Sequence, residues 1–206
     1  MKNTGGRGVS LLLGGVVLGY LITGGIRFLT EEPSHGVHLH ANWAVFIDGE
    51  RLDLSGDEYM QEIYVCMADP EHQEPIDRVH MHENNQDIVH VHGPGVTWGQ
   101  LMTNLDFALG DTFLFTHDAH LENTDSQTLT FVLNGMVVPS VHNRLIGDRD
   151  RLLISYGPES PEEVLKTQYP QVATTAIDYD TMPDPASCSG PLDDTLGQRL
   201  RRAFWF

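Results

Sequence analysis

The sequence predicts an α+β chain: an N-terminal transmembrane helix followed by a mostly β domain with one main helix. Three observations carry this. Val9 to Ile26 is an apolar run of 18 residues without a charge, at the short end of what crosses a bilayer. Asp48-Gly49 and Asn134-Gly135 sit between apolar flanks and supply the two positive-φ residues of tight hairpin turns. Thr97-Trp98-Gly99-Gln100 has the Ser/Thr-x-x-Glu/Gln form of a capping box that opens a helix.

The apolar run comes first. Lys2 and Arg7 precede it, Arg27 closes it, and Glu31 and Glu32 follow. Cationic residues stay on the cytoplasmic side, so the expected location is the cell membrane, single-pass, with the C-terminal domain extracytoplasmic (periplasmic or extracellular). A cleaved signal peptide is the rival, but it needs a small-x-small site just past a shorter core. The residues after Ile26 are Arg-Phe-Leu-Thr-Glu-Glu-Pro, which favours an uncleaved anchor. Gly15 and Gly19 have a small-xxx-small spacing that lets helices approach closely; glycine is also simply common in membrane helices.

Composition narrows the function classes. Of 206 residues, 40% are hydrophobic and 20% charged, enough to fold around a core. Twelve Lys and Arg stand against 29 Asp and Glu, a net charge of −17. Nucleic acid is therefore excluded as the default partner, because phosphate binding needs clustered cations. All 29 acidic residues lie beyond residue 29, with nine of the 12 basic ones, so the body attracts cations. Cys66 and Cys188 either pair in an oxidising compartment or stay as two thiols.

The remaining elements follow in order. His38 to Asp48 reads as a strand returning through Arg51 to Leu54 after the Asp48-Gly49 turn. Residues 55–77 are irregular apart from Ile63 to Cys66. Arg78 to His82 and Ile88 to His92 form a second hairpin around the polar stretch Glu83 to Asp87. The helix opened at Thr97 extends to Leu109, with Trp98, Leu101, Met102, Leu105 and Leu109 on its inner face. Thr128 to Leu133 and Met136 to Val138 flank Asn134-Gly135, and Arg151 to Tyr156 is a final strand apolar enough to be central. Glu162 to Gln168 fits a short helix. The division is then 1–29, cytoplasmic tip and anchor; 30–37, linker; 38–160, histidine-rich domain; 161–206, an extended tail. The tail ends in Leu196 to Phe206, where Leu196, Leu200 and Phe204 recur every four residues beside three arginines.

Hairpin, helix, hairpin and final strand is the order of a β-grasp sheet, so the domain is expected to be β-grasp-like. Leu145 to Ser155 resembles the closing loop and strand of ubiquitin-like folds. A wider resemblance rests on the His-x-His strand before Asp48-Gly49, on His80 to His92 followed by Gly95-Val96-Thr97-Trp98-Gly99, and on Asp150-Arg151-Leu152-Leu153-Ile154-Ser155-Tyr156-Gly157. Over about residues 35–160 the chain resembles an uncharacterised family of single-pass, histidine-rich exported bacterial and archaeal proteins. The resemblance implies the architecture and no activity.

Histidine is the anomaly, with 11 residues. Positions i and i+2 of a strand share a face, so His38/His40, His80/His82 and His90/His92 are three same-face pairs. With a three-residue loop at 85–87, His80 faces His92 and His82 faces His90 across the hairpin, close enough for shared ligation. Neutral imidazole suits zinc and copper. The expected metal ligands are therefore His80, His82, His90 and His92, completed by His38 and His40, with zinc or copper as the ion. Glu83, Asp87 and Asp118 are candidates to orient the imidazoles as acceptors. The competing reading is a solvent face or pH-sensitive packing. His117 and His120 form a separate loop group.

No Gly-x-Ser-x-Gly, phosphate loop or His-Glu-x-x-His occurs, so no catalytic residue is assigned. The leading expectation is a membrane-anchored extracytoplasmic metal-binding protein. The alternative is a non-catalytic accessory subunit of a membrane complex, docked through the anchor helix and Leu196–Phe206. A zinc hydrolase or lyase using a metal-bound water is a third reading that lacks a substrate motif.

Overall fold

The computed structural model describes residues 5–30, 37–61, 78–179 and 196–204. They belong to two compact units, Met1–His35 with Pro191–Phe206, and Gly36–Gly190. Cys66, Cys188, His35, His72 and the Ile63–Cys66 stretch lie outside the described residues.

In the first unit, α1 (Gly5–Thr30) contains the 18 residues Leu13–Thr30, with mean hydropathy 1.5, long and apolar enough to cross a membrane. Two of its threonine hydroxyls turn onto the helix itself: Thr23 donates to the Gly19 carbonyl and Thr30 to that of Ile26, each at 2.9 Å. The C-terminal helix, α5 (Leu196–Phe204), lies against α1. The Phe204 ring occupies the space a Cβ on Gly24 would fill. The Tyr20 hydroxyl donates to the Phe204 carbonyl, and the Arg199 guanidinium sits 4.7 Å from the centre of the Phe28 ring. The contact face of α5 is thus Arg199, Ala203 and Phe204. Of the face Leu196, Leu200 and Phe204, with Ala203 near it, that the sequence offers for docking, Phe204 and Ala203 are turned to α1 and Leu196 is 65% exposed. Gly24, with no side chain, leaves room for the Phe204 ring.

The second unit is built on a seven-stranded mixed sheet among the described residues. Its central strands are β1 (Leu39–Ile47) and β10 (Arg151–Gly157), which run parallel with Asn42 opposite Arg151. On one side of β1 lie β2 (Glu50–Arg51) and β4 (Ile88–Val91), with β3 (Val79–His80) beyond β4. On the other side of β10 lie β8 (Thr128–Leu133) and β9 (Met136–Val138), both antiparallel to their neighbours. The two hairpin turns carry positive φ at Asp48, Gly49, Asn134 and Gly135, as primed turns require. A separate three-stranded sheet comprises β5 (Ala108–Leu109), β6 (Phe113–Phe115) and β7 (His120–Glu122).

Alternation divides the main sheet into two apolar faces. Trp43, Val45, Val89, Val91, Phe131, Leu152 and Ile154 pack on one side under α2 (Trp98–Asn104), which inserts Trp98, Leu101 and Met102. Thr97 caps α2 with the expected reciprocal bonds to Gln100. The helix ends earlier than the sequence suggested. Asp106 takes φ 56°, the Phe107 N–H returns to the Met102 carbonyl, and the Asp106 N–H to that of Thr103, the closing pattern of a Schellman motif. Leu109 then reaches the core's edge from β5 rather than from the helix.

On the opposite face Ala44, Phe46, Val132 and Leu153 meet Val164 and Val172. These come from residues 161–179, which the sequence placed at the start of an extended tail. The segment starts at α3 (Pro161–Glu163), capped reciprocally by Ser160, and passes through a π turn (Val164–Gln168) and a 3-10 turn (Tyr169–Gln171). It ends in α4 (Ala176–Tyr179). Arg151 fastens it by donating to the carbonyls of Val172 and Ala173 at 2.6 and 3.1 Å.

Candidate metal centre

The second face of the sheet changes character along β1. Toward Phe46 it is apolar; toward the start of β1 it carries imidazole. Val79, Val89 and Val91 are held in the first core at 1% exposure or less. Since neighbours along a strand point to opposite faces, His80, His90 and His92 must lie on the other side, level with His40 and His38.

Register decides which rings meet. The expected pairing was His80 with His92 and His82 with His90, around a loop at 85–87. The strands instead place His80 opposite His90 and Val79 opposite Val91. The chain turns early, at Glu83 and Asn84 with φ 59° and 53°, and the Asn85 N–H closes onto the His82 carbonyl at 3.1 Å. The connection is thus seven residues, 81–87. A two-residue shift preserves the face, whereas a one-residue shift would not. The rings nevertheless meet on the diagonals: His82 and His90 have centroids 3.8 Å apart, His80 and His92 5.0 Å. On the other flank β1 sets His40 opposite His90, with rings 4.8 Å apart, and His38 stacks on His92 at 4.8 Å.

All six histidines are therefore in one patch spanning three strands. His40, His80, His82 and His90 are each 3% exposed and His92 is 8% exposed. The ligating nitrogens of His38, His90 and His92 lie within 4.8 Å of one another. Nδ1 of His90 and both nitrogens of His92 are buried without a hydrogen-bond partner among the described residues. Burial first, and then the neighbouring imidazoles, hold the proton affinity of His90 far below the ordinary imidazole range and push His92 down to about 2. Both rings are neutral near pH 7, the form in which a histidine offers a lone pair to a metal.

The proposed orienting carboxylates divide. Glu83 lies at the rim, 3.8 Å from His82 Nδ1. The carboxylate of Asp87 is taken by Arg51. Asp118 belongs to the turn between β6 and β7, where its N–H donates to Thr116. There His117 stacks on Tyr59, and His120 opens β7 against Phe115.

Tyr179 was not among the residues the sequence singled out. Its ring lies 5.5 Å from that of His40 and 5.6 Å from that of His90. The Asn42 side chain accepts from the Ala176 N–H at 2.9 Å and donates to the Asp87 carbonyl at 3.0 Å, while Asn85 donates to the Tyr179 hydroxyl at 2.5 Å. Asn42 and Asn85 thus moor α4 beside the imidazoles. The signal was a short island, Ala176-Ile177-Asp178-Tyr179, inside a polar stretch. A small cleft lined by Tyr59, Gln61 and Asn104 reaches His80 from the edge of the sheet.

Comparison with family models, with curated proteins and with solved structures finds no match.

Proposed function

We propose that this is a membrane-anchored, extracytoplasmic metal-binding protein that captures, buffers or delivers zinc or copper. The observation that carries the reading is the convergence of three His-x-His pairs on one buried sheet face, with three ring nitrogens already within 4.8 Å. A buried polar ring is costly unless its nitrogens are satisfied, and an ion would satisfy those of His90 and His92. The anchor reading draws on the length and hydropathy of α1 and on the flanking Lys2 and Arg7. A β-grasp reading of the body is supported by the strand order, with first and last strands parallel at the centre and hairpins outside. The test is elemental analysis of the full chain, purified in detergent after zinc or copper supplementation. Bound zinc or copper is expected, and its loss on combining His90→Ala with His92→Ala while circular dichroism stays native. Wild-type protein free of transition metal after supplementation would overturn the reading.

A second reading, an accessory subunit of a membrane complex, is favoured by the bare side of α1. Among the described residues nothing lies within 4 Å of where a Cβ would stand on Gly14, Gly15 or Gly19, so another helix could approach there. Co-purifying membrane subunits without metal would favour it.

A further inference from the structure

Each of the three strands contributes two histidines, and the shortest contacts between strands sort them into two sets, with His38 and His40 themselves 4.6 Å apart along β1. His92 on β4 is flanked by His38 of β1 and His80 of β3, at centroid distances of 4.8 and 5.0 Å. His90, also on β4, is flanked by His40 of β1 and His82 of β3, at 4.8 and 3.8 Å. The two central rings are 6.3 Å apart, the spacing of successive same-face residues along a strand. Every His-x-His thus gives one ring to each set.

From this repetition, and resting on the metal-binding reading above, we propose that the cluster is a two-ion centre: a pair of copper(I) ions, one on His38, His80 and His92 and the other on His40, His82 and His90. Coordination number argues for two. Zinc and tetragonal copper(II) take about four nitrogen ligands and the d10 copper(I) ion is content with fewer, so one ion leaves part of a six-imidazole patch unused. Charge argues for the monovalent ion. Imidazoles are neutral, and Glu83 stands only at the rim, 3.8 Å from His82. At equal separation two monovalent cations repel one quarter as strongly as two divalent ones. The competing geometry is a single ion seated on His38, His90 and His92, whose nitrogens already converge.

Anaerobic copper(I) titration of the full chain in detergent, against a chromophoric copper(I) chelator, separates these. A background of Cys66→Ser and Cys188→Ser removes the thiols as binding groups. Two equivalents per chain are expected. His40→Asn should leave one and His38→Asn should leave one, with folding checked by circular dichroism and with His82→Asn replacing His40→Asn if that variant unfolds. One equivalent in the unsubstituted background overturns the two-ion centre and leaves the metal-binding reading standing, as does a His40→Asn chain that binds as much as its parent. No binding of copper(I), copper(II) or zinc overturns both.

Discussion

His92 illustrates what burial does to an imidazole among imidazoles. Its proton affinity falls to about 2, first from desolvation and then from the neighbouring rings of His80 and His38. An unfolded histidine titrates near 6.5. Between those values the unfolded chain binds a proton that the folded chain refuses, so stability rises with pH in that window. The metal-free protein should therefore lose thermal stability as pH falls below about 6.5, before most carboxylates begin to titrate. Melting curves of the chelator-treated full chain between pH 7.5 and 5.5 check this. His92→Gln, which removes one such group, should flatten the slope; a melting temperature independent of pH across that range would contradict the burial argument.

Among the elements, α2 couples local signals to packing most directly. Removing its cap with Thr97→Ala should cost about 1 kcal/mol. Gly99→Ala should cost about 1–3 kcal/mol, because its Cβ would stand 2.5 Å from the His142 carbonyl oxygen, on a backbone that the Gly99 N–H already holds at 2.9 Å. Denaturant unfolding of both variants measures the two costs. The start of α2 was legible because a capping box is a local code. Its end was not, because the closing left-handed position holds Asp106 where glycine is customary. The alternating pattern of the six histidines was enough to assign them to common faces, since strand period is intrinsic to the backbone. Register was not legible: it depends on where a loop turns, and Glu83 and Asn84 carry no glycine to mark the place. A short helix at Glu162 to Gln168 was legible, but the packing of segment 161–179 onto the sheet was not, for another reason. Val164 and Val172 gain their value only from Ala44 and Phe46 across the sheet, a long-range complementarity that composition cannot reveal.

For the whole molecule, the charge asymmetry and the proposed anchor give a topological expectation. A reporter enzyme that works only outside the cytoplasm, fused after Tyr156, should be active, and a cytoplasm-only reporter at the same site should be silent; the reverse pattern would invert the proposed orientation. The acidic body would then raise the local concentration of cations around the histidine face, an effect that salt weakens. The parallel pairing of β1 with β10 also has a consequence for biogenesis. The middle of the sheet joins residues 42–47 to residues 151–156, so the first strand waits for its partner until more than a hundred further residues have been synthesised. Such distant pairings form slowly. A nascent chain halted before Arg151 lacks the centre of the sheet and should remain open to protease, whereas one released beyond Gly157 can close it. The histidine strands would thus acquire their packed setting only late in the life of the nascent polypeptide, and under the proposed metal-binding reading an exported chain would have time to reach its compartment before it could trap metal.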